Sequence, residues 1–204
     1  MDTLLKEKEI FQKTELKPKL ILITPSYGKN NLLEICGIEI IEFLLQSNIK
    51  VVLRPHFKIL HDSSDLINLI ENKFGKNPNF ILEKGVIPTN LFHNSICLIS
   101  DWSGISMEYA FTCECSVIFI DVPKKILNPD ANDLSLEPIE ISLRNKIGHI
   151  VSPENIENIP TIIKNFENDV PNFSQQIKEI RTSIVFNVGN SAPVGAKYIQ
   201  NLVS

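Results

Sequence analysis

An α/β fold is what this sequence predicts, with a parallel sheet of about six strands and helices on both faces. Three observations carry that expectation. The apolar runs are short and continuous, as in KLILITP and SVIFIDVP, rather than alternating with polar residues, which marks strands buried on both faces. Between them lie longer segments with apolar residues on one helical stripe. Caps and breakers such as serine, asparagine, glycine and proline stand at the joins.

The elements follow in order. KLILITP (19–25) is a buried strand closed by proline. NLLEICGIEIIEFLLQSN (31–48) is a helix with asparagines at both ends. IKVVLRP (49–55) is the second strand, and SSDLINLIENKFG (63–75) is a helix that opens on a serine cap and stops at glycine. NFILEKG (79–85) is the third strand, IPTNLFHNS (87–95) a short helix or turn, ICLISD (96–101) the fourth strand. SGISMEYAFTC (103–113) is a helix and SVIFIDVP (116–123) the fifth strand. The polar stretch 124–146 reads as a loop with one short helix, and GHIVS (148–152) as a sixth strand. Ser152-Pro153-Glu154 opens a helix, with proline at its first position and an acid in its first turn. Helices over 171–186 and 191–204 close the chain. No repeat or linker interrupts residues 19–204, so they read as one domain. Residues 1–18 read as a helical or connecting segment.

Composition narrows the function. The chain has 204 residues, a net charge of -4, and 20 basic against 24 acidic side chains. That balance argues against a nucleic-acid binder, which needs a basic face. A small basic pocket is still compatible with it. The four cysteines, Cys36, Cys97, Cys113 and Cys115, read as reduced thiols. Cys113-Glu-Cys115 lacks zinc spacing. No metal or other cofactor is expected. The charged start is not a signal peptide and no run reaches the length of a membrane span, so a cytoplasmic protein is expected.

Open parallel sheets bind ligands beyond the carboxyl ends of their strands. The residues just after each strand are therefore the candidates. After the first strand comes Thr24-Pro25-Ser26-Tyr27-Gly28-Lys29, which matches neither GxGxxG nor a P-loop. After the second come Arg54-Pro55-His56. Arginine can fork onto a phosphate, and histidine can donate to phosphate or move a proton near neutral pH. After the fourth comes Asp101-Trp102-Ser103-Gly104-Ile105-Ser106. Ser103, Gly104 and Ser106 lie where a helix begins, so free backbone NH groups and two hydroxyls meet at a turn that admits a ligand at Gly104. Asp101 or Ser103 could equally be a plain N-cap. His93 and His61 read as surface or capping residues, and His149 is a weak candidate for the cleft. The residues by themselves reach a cleft for a phosphorylated ligand, with a nucleoside diphosphate the best fit.

Three segments, KLILITPSYG, VVLRPHF and CLISDWSGISMEYAFTCECSVIFIDVP, resemble in order the C-terminal half of the CDP-glycerol glycerophosphotransferases. These enzymes build teichoic acids and similar capsule polymers. The resemblance covers most of 19–123 and continues more weakly through RNKIGHIVSPENI (144–156). It implies the Rossmann-like C-terminal domain of a GT-B enzyme, the half that holds the nucleotide donor. It implies that Arg54 and His56 contact the donor, that Ser103 and Ser106 with the NH groups of Gly104 and Ile105 cradle the diphosphate, that Asp101 shapes that turn, and that Pro25 and Ser26 line its near wall. His56 is the one candidate base. Gly104 and Trp102 depart from the family's serine and tyrosine, and Pro88-Thr89-Asn90 replaces an acidic turn.

Three readings follow. One is a transferase moving glycerol phosphate from CDP-glycerol to a cell-surface polymer, incomplete without an N-terminal acceptor domain on another chain. Another is a nucleotide-sugar glycosyltransferase or a domain like UDP-GlcNAc 2-epimerase. The third is a non-catalytic nucleotide-binding module that needs a partner chain. The resemblance leaves peripheral contact with the inner face of a membrane open.

Overall fold

The computed structural model describes residues 5, 20–85, 89–124, 137–168 and 170–203. Apart from Leu5, the expected segment 1–18 lies outside the described residues. Six strands form one sheet: β1 (Leu20–Thr24), β2 (Lys50–Leu53), β3 (Phe80–Leu82), β4 (Ser95–Ser100), β5 (Val117–Ile120) and β6 (Gly148–Val151). Their order is β3-β2-β1-β4-β5-β6 and every pairing is parallel. The expected fold class is therefore observed.

Between the strands run α1 (Leu32–Gln46), α2 (Phe57–Asp62), α3 (Ser64–Phe74), α4 (Thr89–His93), α5 (Ile105–Cys113), α6 (Ile139–Ser142) and α7 (Arg144–Ile147). After β6 come a 3-10 turn (Pro153–Asn158), α8 (Ile159–Asn168), α9 (Val170–Ile184) and α10 (Ser191–Val203).

The strands are mostly apolar, and those at the centre of the sheet are buried because both faces meet helices. Ile21, Ile23, Val51, Leu53, Ile99 and Ile118 pack into one core with residues of α1, α3 and α8. Their neighbours Leu20, Leu22, Val52, Leu98, Val117 and Phe119 pack into another with α5, α7 and α9. The period of two in strands sends successive side chains to opposite cores. Full burial of one such side chain contributes about 1.5–3 kcal/mol.

Both asparagines at the ends of α1 have a use. Asn31 is the N-cap, and its side chain accepts from the NH groups of Leu33 and Glu34. Asn48 takes a left-handed φ of 57° just beyond the helix, a conformation asparagine tolerates. Gly28, at φ 102°, needs to be glycine. Gly148 needs to be glycine for space, since a Cβ there would meet the Val117 carbonyl at 2.0 Å.

Several boundaries differ from the sequence expectation. β3 is three residues long, because only Phe80–Leu82 pair with β2. Ser63 makes no side-chain cap bond to α3. The one-turn-plus helix α2 fills a segment where the sequence showed none, and His56 caps it. His61 therefore sits in a helix, exposed and 2.8 Å from Asp62, not in a loop. Ser152 does cap, with Pro153 next, but the element is a 3-10 turn that only later becomes α8. In the polar stretch, 125–136 lie outside the described residues, and the rest holds two short helices, α6 and α7.

None of the four cysteines is in a disulfide. Burial, with the Glu39 and Asp101 carboxylates nearby, pushes the Cys36 thiol up to about 12, so it stays protonated and unreactive.

Candidate functional site

The chain leaves β1 toward β2 on one side and β4 toward β5 on the other, while β1 and β4 lie side by side. Their carboxyl ends flank the point where the strand order reverses, and an open α/β sheet has its crevice there. Two turns face each other across it: 25–31, leading into α1, and 101–104, leading into α5.

The first turn is closed by protein groups. Asp101, 1% exposed, accepts from the Ser26 NH at 2.7 Å with one carboxylate oxygen and from the Leu32 NH at 2.9 Å with the other. Asn31 takes the next two NH groups of α1, as above. The Asn31 amide in turn donates to the Gly28 carbonyl at 2.7 Å. The positive end of the α1 dipole thus carries a buried carboxylate.

The second turn is open. The N-cap of α5 is Gly104, which makes no side-chain cap bond. The NH groups of Gly104 and Ile105 have no acceptor among the described residues. Gly104 is exposed and Ser103 half-buried, so they form the surface of the turn. Ser106 lies beneath it, 0% exposed, and its hydroxyl has no partner. The Thr24 hydroxyl at the end of β1 is likewise buried without a partner. An unmet buried hydroxyl costs about 1–3 kcal/mol, and two lie beside this crevice. Gly104 has ordinary right-handed dihedrals, φ -59° and ψ -23°, and a Cβ built on it meets nothing within 4 Å. Nothing in the chain's own packing requires glycine there.

The sequence expected Asp101 to shape its own turn or cap α5. It instead pins the opposite turn, and both its oxygens are engaged in doing so. It therefore positions Ser26 and the start of α1. Ser103 makes no cap either, because α5 begins one residue later than the sequence implied. Pro25 and Ser26 are buried on the β1 side, and the Ser26 NH is taken by Asp101.

Arg54 and His56 follow β2. Arg54 is half-buried, its backbone NH bonded to the Ile23 carbonyl at 2.9 Å. Its Nε is buried without a partner, and no carboxylate among the described residues pairs with it. A partly buried guanidinium without a counter-ion is costly, and a phosphate would meet it. His56 accepts from the Lys58 NH with Nδ1 at 3.2 Å. In the neutral form that bond leaves the proton on Nε2, where it can be donated. Its ring lies 5.5 Å from Tyr27 and 4.4 Å from Phe57. As placed, the Nδ1 lone pair of His56 serves the cap of α2.

His149 is not in this crevice. It is exposed near the start of β6, edge-on to Phe166 at 5.3 Å. With Ile96, Glu114 and Ser116 it lines a separate cavity of ≈ 220 Å³ at the amino ends of the strands. His93 is half-buried at the end of α4, with its Nδ1 4.0 Å from Cys113 Sγ.

Two residues at the carboxyl edge escaped the sequence reading. Asp121 follows β5, and Arg144 lies in α7. The Arg144 guanidinium is 3.9 Å from the Trp102 ring centroid, donates to Asp121 Oδ1 at 3.0 Å and reaches the Ile120 carbonyl at 3.3 Å. Burial lowers its pKa from the ordinary value, and Asp121 works against that shift. Asp121 was findable by the rule that located the other candidates, as the first residue after a strand. Trp102 and Asp121 border an open cleft of ≈ 770 Å³ with Ile35, Ser152 and Glu154. No group of three or more His, Cys, Asp or Glu among the described residues could hold a metal ion. No described helix is long and apolar enough to cross a membrane.

No protein-family model matches the chain, and no curated protein matches it by sequence. Solved structures do match in three dimensions. UDP-GlcNAc 2-epimerase from Methanocaldococcus jannaschii, in complex with UDP-GlcNAc and UDP, aligns at 15% identity and TM-score 0.51, over 91% of this chain and 52% of that one. The wall teichoic acid polymerase TagF, as an H444N variant, aligns at 15% identity and TM-score 0.54, over 97% of this chain and 47% of that one. The C-terminal CMP-Kdo binding domain of WaaA from Acinetobacter baumannii aligns at 8% identity and TM-score 0.50, over 87% of this chain and 97% of that one.

The chain has the Rossmann-like fold shared with GT-B enzymes. It spans about half the length of the epimerase and the polymerase and nearly all of the isolated WaaA domain.

Proposed function

We propose that this chain is the donor-nucleotide-binding domain of a GT-B transferase, and that the open turn 103–106 holds the donor's diphosphate. The observation that carries the reading is Gly104: an exposed, uncapped helix start, with two unpaired NH groups and no packing reason for glycine. Such a turn suits an anion that approaches the backbone closely. Arg54 supplies the fixed charge. The Nε2–H of His56 is a donor, and Ser103 adds a hydroxyl.

The finer reading is transfer of glycerol phosphate from CDP-glycerol to a cell-surface polymer. The sequence resemblance supports it, as does similarity of fold to a teichoic acid polymerase. In that reaction an acceptor oxygen attacks the β-phosphorus and the bond to CMP breaks. The acceptor's proton goes to a base, and charge builds on the leaving phosphate. Arg54 and the α5 N-terminus would stabilise that charge. With the His56 Nδ1 engaged in the cap of α2, a base from a second, acceptor-binding domain would complete the reaction. The exposed apolar residues Tyr198, Ile199, Leu202 and Val203 of α10 are consistent with cover by such a domain. The expected location is cytoplasmic, at the inner face of the membrane.

A second reading, a nucleotide-sugar donor, has its own support in the epimerase solved with UDP-GlcNAc and UDP. Calorimetric titration with CDP, CDP-glycerol, UDP, UDP-GlcNAc and GDP separates the two. Selective binding of the cytidine ligands, weakened by Arg54→Ala, supports the first. Selective uridine binding moves the assignment to the second. No binding at millimolar concentration would overturn both.

A further inference from the structure

We propose that Arg144 is a positioning residue for the 102–105 turn, acting through Trp102. The functional half of this inference rests on the reading of that turn as a diphosphate site.

The turn needs an outside support. The 25–31 turn is pinned by Asp101 and Asn31. The 102–105 turn has no side-chain cap, and the NH groups of Gly104 and Ile105 have no acceptor among the described residues. A turn that must leave its donors free for a ligand cannot use them to hold itself in place. Trp102 is the side chain that ties it to the rest of the fold. Its Nε1 donates to the Val122 carbonyl at 2.9 Å, and one face of the indole is covered by the Arg144 guanidinium at 3.9 Å.

An ordinary ion pair does not account for Arg144. Its side chain is 4% exposed, whereas that of Asp121, its carboxylate partner, is 53% exposed. Half-solvated pairs contribute little, and desolvating a guanidinium is costly. Its Nε is buried without a partner. The contacts that remain are planar: Trp102 on one side, and Phe119 with its ring centroid 5.2 Å away. A flat cation stacks on aromatic faces in a way lysine cannot reproduce. Two bonds from α7 to the end of β5, to Asp121 and to the Ile120 carbonyl, fix the guanidinium plane. Arg144 thus joins the end of β5 to the residue immediately before Ser103.

The test compares Arg144→Met, Arg144→Lys and Trp102→Phe in the full chain, with Ile177→Val as a control in a fully buried position on α9. Amide hydrogen exchange reads the turn without any ligand. Exchange at Ser106 and Met107, whose NH groups bond the Ser103 and Gly104 carbonyls, should quicken roughly ten-fold in Arg144→Met relative to 32–36. Arg144→Lys should not restore it, and Ile177→Val should leave that ratio unchanged. Emission of Trp102, the one tryptophan, should shift in both Arg144 variants. Whichever nucleoside diphosphate the wild type binds should bind Arg144→Met roughly ten-fold more weakly, with the corresponding nucleoside unaffected. Unchanged exchange at Ser106 and Met107 in Arg144→Met overturns the proposal, as does a uniform acceleration across the chain. If the wild type binds no nucleoside diphosphate, the diphosphate reading fails while the exchange result still decides the role of Arg144.

Discussion

The two turns at the switch point start from similar material. Each follows a buried strand, contains serine and glycine, and opens a helix. Turn 25–31 ends with every early NH of α1 through Glu34 bonded to a protein acceptor. Turn 101–104 ends with Gly104 and Ile105 unpaired and a hydroxyl orphaned beneath them. One residue makes the difference twice over. Asp101 belongs to the second turn by sequence and serves the first by contact. A helix dipole already met by a carboxylate repels a second anion, whereas an unmet one attracts it. The pair shows that a turn's composition does not say whether its NH groups stay free. What matters is whether the protein itself has taken its donors.

The largest effect that would break this contrast is on stability. Asp101→Ala should lose about 3 kcal/mol, because two bonds to a buried carboxylate vanish and two NH groups lose their acceptor. For a chain of this size the melting temperature should fall by about 6–12 °C. Ser103→Ala should stay within about 0.5 kcal/mol. Urea denaturation of the two variants checks the difference, and equal losses would mean both turns are structural.

The next effect converts the open turn into a closed one. Gly104→Asp places a carboxylate at the N-cap of α5, where the Cβ has room. Stability should hold or rise by up to about 1 kcal/mol. Diphosphate affinity should drop by about 100-fold through like-charge repulsion. A Gly104→Asp variant that binds as well as wild type would remove the turn from the site.

Arg54→Ala comes third. Loss of one charge-assisted contact should weaken diphosphate binding by about 10–100-fold. Stability should change little, since no described carboxylate pairs with Arg54. Calorimetry beside a thermal melt separates the two. The smallest effect is His56→Ala, which removes the cap of α2 and should cost about 1 kcal/mol. If His56 only donates, binding across pH 6–8 should shift by no more than a few-fold. A sharp loss of activity in a reconstituted two-domain enzyme, with affinity intact, would assign it as the base.

Much of the layout was legible from the residues. Continuous apolar runs such as LILIT and VIFI can be satisfied only where both faces are covered, so the parallel sheet follows from them. The rule that ligands gather at strand ends put Arg54, Ser103 and Gly104 in one region. Arg144 was not legible, because it sits in a polar stretch whose pattern suggests solvent, and only contact with Trp102 shows it buried. The capping contact of His56 was not legible either, since a ring's function depends on which nitrogen is engaged.

The sequence by itself determined the six strands, most of the helices between them, and the cap at Ser152. These depend on groups within a few residues of one another, where chain geometry leaves few choices. The tertiary structure alone decided which turn stays open. That outcome rests on Asp101 reaching Ser26 and Leu32, 75 and 69 residues away, and on Arg144 reaching Trp102. Contacts between distant residues depend on how strands pair and helices pack, and no local pattern records them.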